Sequence, residues 1–278
     1  MRQGYVRLRL DVSYDGTDFS GWAVQPQRRT VAGELTTALD RAFGPAVAVG
    51  LTVAGRTDAG VHASGQVCHL DVPAEVWAER SGTLLRRFAG TLPRDVRVRA
   101  VAEVPADFDA RFSATFRRYA YRVTDAPYGA EPLRRHDTLA WPRPLDLAAL
   151  NAAAAHLVGE HDFAAYCRRK EHATTIRQIT RLDWQRDDTG TLIGTVMADA
   201  FCQAMVRSLV GAMLFVGDGR RPTDWPGALL SRRERSSEVT VAPPHGLTLV
   251  EVGYPADPAG YADRAAVTRR LRLPTAVE

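Results

Sequence analysis

Nothing in the 278-residue chain approaches the roughly 18–20 consecutive apolar residues that a membrane-spanning helix requires. The opening stretch, MRQGYVRLRLDVSYDG, alternates charged and apolar residues and lacks the apolar core of a signal peptide. These absences predict a soluble, cytoplasmic protein without a membrane partner. Cysteine is scarce. Cys68, Cys167 and Cys202 lie far apart, form no CxxC pair, and their odd number argues against a disulfide framework. The seven histidines are scattered and none belongs to an HExxH pattern, so no metal site is expected. P-loop and GxGxxG patterns are absent too, and with them the usual signatures of nucleotide-dependent chemistry.

Hydrophobic residues at 45% and charged residues at 24% are ordinary proportions for a globular protein. The length allows one large or two ordinary domains, each with a core of its own. The net charge of +4 is carried mainly by arginine, and basic residues cluster at Arg28-Arg29, Arg86-Arg87, Arg117-Arg118, Arg134-Arg135, Arg168-Arg169-Lys170, Arg220-Arg221 and Arg232-Arg233. Such clusters suit a polyanionic partner, because each neutralised phosphate releases condensed counterions. A coding bias towards arginine on a solvated surface gives the same composition, so composition leaves both readings open.

The first half alternates and then turns. Val6, Leu8, Leu10 and Val12 fall on one side of a strand, with Arg7, Arg9, Asp11 and Ser13 on the other. Thr30 is placed to cap a helix reaching Phe43, with Val31, Leu35, Leu39 and Phe43 on one side. Strands are expected over 46–53, 66–72 and 96–104, and a helix from Pro73 to Phe88. This is the β-α-β-β-α-β order of ferredoxin-like folds. From about Ala106 the layout restarts, with strands at 117–124, 174–184, 192–200 and 247–252 and helices at 145–158 and 204–216. The expected class is α+β, with two ferredoxin-like halves over 1–105 and 106–255, a central mostly antiparallel sheet, a cleft between the halves, and a partly disordered tail over 256–278.

One turn stands out chemically. A buried strand ends at Gly55, and the small residues Ala54, Gly55, Ala59 and Gly60 surround Arg56 and Asp58, which lie two apart and so on one side. A carboxylate beside a guanidinium stays ionised, as a nucleophile must. Taken alone, an Asp-Ala-Gly of this kind is more often a surface turn beside an ion pair. A second feature is Arg207, between Val206 and Leu209 on an otherwise apolar helix. An arginine buried there needs an anion, since an unpaired one costs several kcal/mol.

The string AGRTDAGVHASGQVCHLDV resembles the central motif of the TruA family of tRNA pseudouridine synthases. YDGTDFSGWAVQPQRRTV, FDARFSATFRRYAYRV, LVGEHDFAAYCRR, FCQAMVRSLVGAML and HGLTLVEVGYP follow the family's order over nearly the whole chain, although Ala23 stands where many members carry glutamine. The resemblance implies a pseudouridine synthase fold and isomerisation of uridine to pseudouridine in the anticodon stem-loop of tRNAs, without cofactor or metal. It makes Asp58 the nucleophile. Arg56 would enter the RNA and hold the target nucleotide outside the stem, since a base within a duplex cannot be attacked in place. Tyr119 would stack on the flipped uracil, Arg207 would be the partner of Asp58, and Leu247 would form the apolar floor of the site. On sequence alone, Tyr119 and Leu247 read equally as core residues. The family further implies a homodimer with one tRNA touching both subunits, and recognition by shape and backbone.

In the implied reaction the N1–C1′ bond breaks, the uracil turns while held, and C5 bonds to C1′. Asp58 attacks C1′ or C6, or deprotonates the ribose to give a glycal. Two rivals stand against this expectation: an inactive RNA-binding protein on the same fold, and a hydrolase using Asp58 as general base. The first would not need Asp58, Tyr119 and Arg207 together. The second would need another acid or a metal near Asp58, and no motif supplies one.

Overall fold

A computed structural model describes residues 3–168 and 173–270, which divide into two compact units. Unit 1 comprises the chain up to Thr115 together with Leu249–Arg269. Its elements are β1 (Tyr5–Tyr14), α1 (Val31–Phe43), β2 (Val49–Val53), β3 (His62–Pro73), α2 (Ala74–Arg80), α3 (Leu84–Thr91) and β4 (Val96–Val104). β1 lies between β4 and β3, antiparallel to both, with Leu10 facing Cys68 on one side and Val101 on the other. β2 pairs with β3, giving the 4-1-3-2 arrangement that the β-α-β-β-α-β order specifies. The alternation in β1 sends Leu8, Leu10, Val12 and Tyr14 inward. α1 meets them with Val31, Leu35, Leu39 and Phe43, and the Thr30 hydroxyl accepts from Gly33 N at 3.3 Å to cap it.

Three expected elements change here, β3 among them, which starts at His62 rather than Gln66. The helix expected from Pro73 to Phe88 is interrupted by a 3-10 turn at Ser81–Thr83, around Gly82. Glycine inside a helix costs about 1 kcal/mol relative to alanine, and the flanking Ser81 and Thr83 compete for the backbone. β2 starts at Val49 rather than Ala46, because Gly44 and Ala46 take positive φ (105° and 59°) and turn the chain first.

Unit 2 covers Phe116–Thr248. It holds β5 (Phe116–Thr124), β6 (Leu139–Ala140), α4 (Leu147–Ala155), β7 (Gly159–Asp162), β8 (Ile176–Arg186), β9 (Leu192–Ala198), α5 (Met205–Gly217) and α6 (Trp225–Ala228). β5, β9, β8 and β7 follow one another in an antiparallel sheet, and β6 adds to β5 in parallel. β5 neighbours β9 and β9 neighbours β8, just as β1 neighbours β3 and β3 neighbours β2, so the α+β plan with mostly antiparallel strands is present in both units. α4 begins later than expected, at a cap where Asp146 Oδ1 accepts from Ala148 N and Ala149 N at 2.7 and 3.1 Å. It stops before Gly159, whose φ of 116° is closed to other residues.

β10 (Leu247–Gly253) leads into α7 (Gly260–Arg269). The segment expected to be a tail from residue 256 is therefore helical over Gly260–Arg269. Tyr261 packs edge-on against Phe108 with centroids 5.2 Å apart, and Arg264 Nε donates to Ala114 O at 3.1 Å. Residues 271–278 lie outside the described residues, as do Arg169 and Lys170 of the 168–170 cluster. The cysteine expectation is corrected as well: Cys167 and Cys202 are joined as a disulfide, with Cα atoms 5.7 Å apart. An odd count is compatible with one pair and a leftover, and the leftover, Cys68, is fully buried on β3. Burial pushes its thiol far above the ordinary cysteine range. Among the described residues no helix is long and apolar enough to cross a membrane.

Candidate active site

The segment between β2 and β3 is short, and its backbone is tied down almost residue by residue. The β-ladder ends where Ala54 N donates to Val67 O at 2.9 Å. Along the turn Arg56 is exposed, Thr57 buried and Asp58 half-buried. Inside, the Thr57 hydroxyl lies 2.8 Å from the Tyr14 hydroxyl. Gln66, fully buried on β3, places its amide nitrogen 3.3 Å from that tyrosine oxygen and donates to Gly55 O at 2.8 Å. One buried amide thus connects the start of the turn to the residue before Asp58.

The loop after β1 closes the other side. Trp22 N donates to Thr57 O at 3.1 Å, and Gly60 N donates to Phe19 O at 3.3 Å. Gly21 makes this approach possible: its φ is +89°, and a Cβ there would sit 2.8 Å from Thr57 O. Val61 N donates to Asp58 O at 3.2 Å, and Gly16 N donates to His62 Nδ1 at 3.0 Å. The carbonyls on both sides of the Asp58 Cα are therefore engaged.

Unit 2 carries the other three residues marked by the sequence. Tyr119 projects from β5 on the buried side it shares with Arg117, Tyr121 and Val123. Its ring meets Phe201 edge-on, with centroids 5.3 Å apart and planes at 87°. Arg207 is in the first turn of α5, half-buried, and its Nε donates to Ala242 O at 2.7 Å. The backbone reciprocates, with Ala242 N donating to Arg207 O at 2.9 Å. This edge of the Arg207 guanidinium is thus taken by a neutral backbone carbonyl. Tyr121 donates to Pro243 O at 2.9 Å, and burial pushes its phenol above the ordinary range against the opposing pull of Arg207. Gly246 lies so close to the Tyr121 ring that a Cβ would fall 2.6 Å from it, and this seats the buried Leu247 next in the chain.

Tyr14, Trp22, Gln66 and Phe201 were missed as contributors by sequence reasoning. Each stands inside a motif that was recognised, but its partner is remote in sequence, as with Gln66 and Tyr14, 52 positions apart.

Comparison with known proteins decides the family. A family model described as tRNA pseudouridine synthase matches residues 153–255. A tRNA pseudouridine synthase A from Frankia casuarinae is 61% identical over 99% of this chain and 98% of its own. The chain belongs to the tRNA pseudouridine synthase A family. Further relatives of that name are 60% identical in Streptomyces griseus, over 97% of this chain and 95% of the relative, and 50% identical in Mycobacterium leprae, over 96% of both. Among solved structures, an archaeal box H/ACA sRNP Nop10–Cbf5 complex resembles the chain only faintly, with 11% identity, coverage of 91% and 53%, and a TM-score of 0.32. Members of the tRNA pseudouridine synthase A family are isomerases, and both segments described above belong to motifs that carried the resemblance. The Asp58 turn lies outside the span of the family model, within the span aligned to the Frankia relative.

Proposed function

We propose that this protein converts uridine to pseudouridine in the anticodon stem-loop of tRNA, with Asp58 as the nucleophile. The observation that carries this reading is the turn itself: Thr57 is drawn inward, Asp58 is bracketed by bonded carbonyls, and Arg56 is exposed beside a half-buried Asp58. A turn that served only to connect two strands would not need a buried polar network beneath it. Family membership at 61% identity gives the reading its chemistry.

The reaction is an internal exchange. The N1–C1′ bond breaks, the base rotates while held, C5 bonds to C1′, and the proton lost from C5 is balanced by one gained at N1. The Asp58 carboxylate serves by attack at C1′, by attack at C6, or by taking a ribose proton on the way to a glycal, and all three routes require it ionised. Arg56 enters the RNA and keeps the target nucleotide out of the stem. Tyr119 stacks on the uracil and helps take the C5 proton, with Phe201 against its ring. Arg207 supplies positive charge to the carboxylate, and Leu247 is the apolar surface under the base. The working form is a homodimer in which one tRNA touches both subunits; an active monomer in light scattering would contradict that part.

The test is to incubate the protein with unmodified tRNA and map pseudouridine along the sequence. Modification is expected in the anticodon stem-loop and is expected to vanish in Asp58→Ala while tRNA binding persists. Pseudouridine elsewhere in the tRNA would refute the stem-loop assignment, and pseudouridine formed by Asp58→Ala would refute the nucleophile.

A further inference from the structure

We infer that Tyr14, Thr57 and Gln66 act as one positioning unit that sets the height and direction of the Arg56–Asp58 turn. The inference rests on the reading of Asp58 as nucleophile and adds residues that do not themselves touch substrate. Three observations carry it. The Tyr14 and Thr57 hydroxyls are 2.8 Å apart, both on buried residues. Gln66 has no exposed surface and uses one amide nitrogen for both the Tyr14 hydroxyl, at 3.3 Å, and Gly55 O, at 2.8 Å. Its carbonyl oxygen accepts from Val67 N at 3.2 Å, so both ends of the side chain are committed.

The geometry makes these groups a strut. Gly55 and Thr57 flank Arg56, and both are held from below, one through its carbonyl and the other through its hydroxyl. Thr57 is gripped twice, because its own carbonyl accepts from Trp22 N at 3.1 Å on the side of the β1 loop. A Cα held by both side chain and carbonyl fixes the peptide plane that leads into Asp58. A buried polar network in a low-dielectric interior is costly unless fully bonded, and when fully bonded it specifies one arrangement. Here that arrangement is the aim of a carboxylate. Misplacing a reacting group by about 1 Å can cost on the order of 100-fold in rate with no change in what binds.

Thr57→Val keeps the shape and removes the hydroxyl, and Thr57→Ser keeps the hydroxyl. Tyr14→Phe removes the facing oxygen without changing ring volume. The expected result in single-turnover assays on unmodified tRNA is a fall in rate of about 10- to 100-fold for Thr57→Val and Tyr14→Phe. Thr57→Ser is expected to stay within about threefold of the original rate, and tRNA affinity to stay within about twofold in all three. The Tyr14→Phe/Thr57→Val double variant is expected to fall no further than the worse single variant, as for groups acting as a unit. Full rates in both single variants would overturn the inference. So would losses that follow melting temperature and tRNA affinity together, or multiply in the double variant, since a merely structural role gives those patterns. Asp58→Ala run alongside separates the two claims. Residual activity in Asp58→Ala defeats the nucleophile assignment, whereas an inactive Asp58→Ala beside a fully active Thr57→Val defeats only the strut.

Discussion

Gly21→Ala tests how tightly the β1 loop holds the nucleophile turn. Two costs can be separated from the structure. Residue 21 has a φ of +89°, a conformation that costs a residue with a Cβ about 1 kcal/mol or more. The new methyl would also meet Thr57 O at 2.8 Å, a backbone atom that cannot swing aside. Relieving that approach loosens the bond from Trp22 N to Thr57 O, worth about 1 kcal/mol. The sum is about 2–3 kcal/mol, which corresponds to a melting temperature lower by about 5–10 °C. Gly50→Ala is the matched control. Its φ is +74° with open space around the added carbon, so it bears the backbone cost alone, about 2–4 °C. Differential scanning calorimetry and a pseudouridine rate assay on the two variants complete the test. Gly21→Ala is expected to lose the larger share of stability and to slow modification about tenfold, while Gly50→Ala modifies tRNA at the original rate. If the variants match in both melting temperature and rate, the loop does not govern the turn and the reasoning fails.

Other expectations are equally open to measurement. His69 accepts from Ala110 N at 2.9 Å, and its pKa is lowered to about 4 by burial and then by the positive charge of Arg7. In the unfolded chain it titrates near 6.5, so the unfolded state binds the proton first and stability falls as pH drops from about 6.5 towards 4. Denaturant unfolding should show a loss of about 2 kcal/mol between pH 7 and pH 5 that shrinks in His69→Asn; equal slopes would contradict the assignment. Binding of tRNA should weaken at least about tenfold between 50 and 200 mM salt, and a flat response would exclude phosphate contacts as its main source. Thr30→Ala should lower stability by about 1 kcal/mol through loss of the α1 cap without altering the modification rate, and no change in melting temperature would place the cap's contribution elsewhere.

Local chemistry was legible in the sequence, and remote pairing was not. β1 could be read from Leu8, Leu10 and Val12 because only one of its sides is fully buried, and Thr30 could be read as a cap because its acceptor role spans three residues. What draws Thr57 inward was not legible, because Tyr14 lies 43 positions away. The break at Gly82 turned on a balance of small propensities across Pro73–Phe88. α7 was unreadable because only Tyr261 and Ala265 are buried, too few to mark a periodic stripe. The pairing of Cys167 with Cys202 depends on how unit 2 folds, and residue counts carry no trace of it. For Arg207, the bond to the carbonyl of Ala242, 35 positions away, was equally beyond the reach of sequence.

The most direct measurement of the central claim is a single-turnover assay of Asp58→Asn on tRNA tritiated at uracil C5, with tRNA affinity measured in parallel. The substitution keeps the shape of the side chain and the buried bonds of Thr57 and Gln66 while removing the charge. The account predicts undiminished tRNA binding, no release of tritium to water and no pseudouridine. Tritium release and pseudouridine formation by Asp58→Asn at the original rate would contradict it.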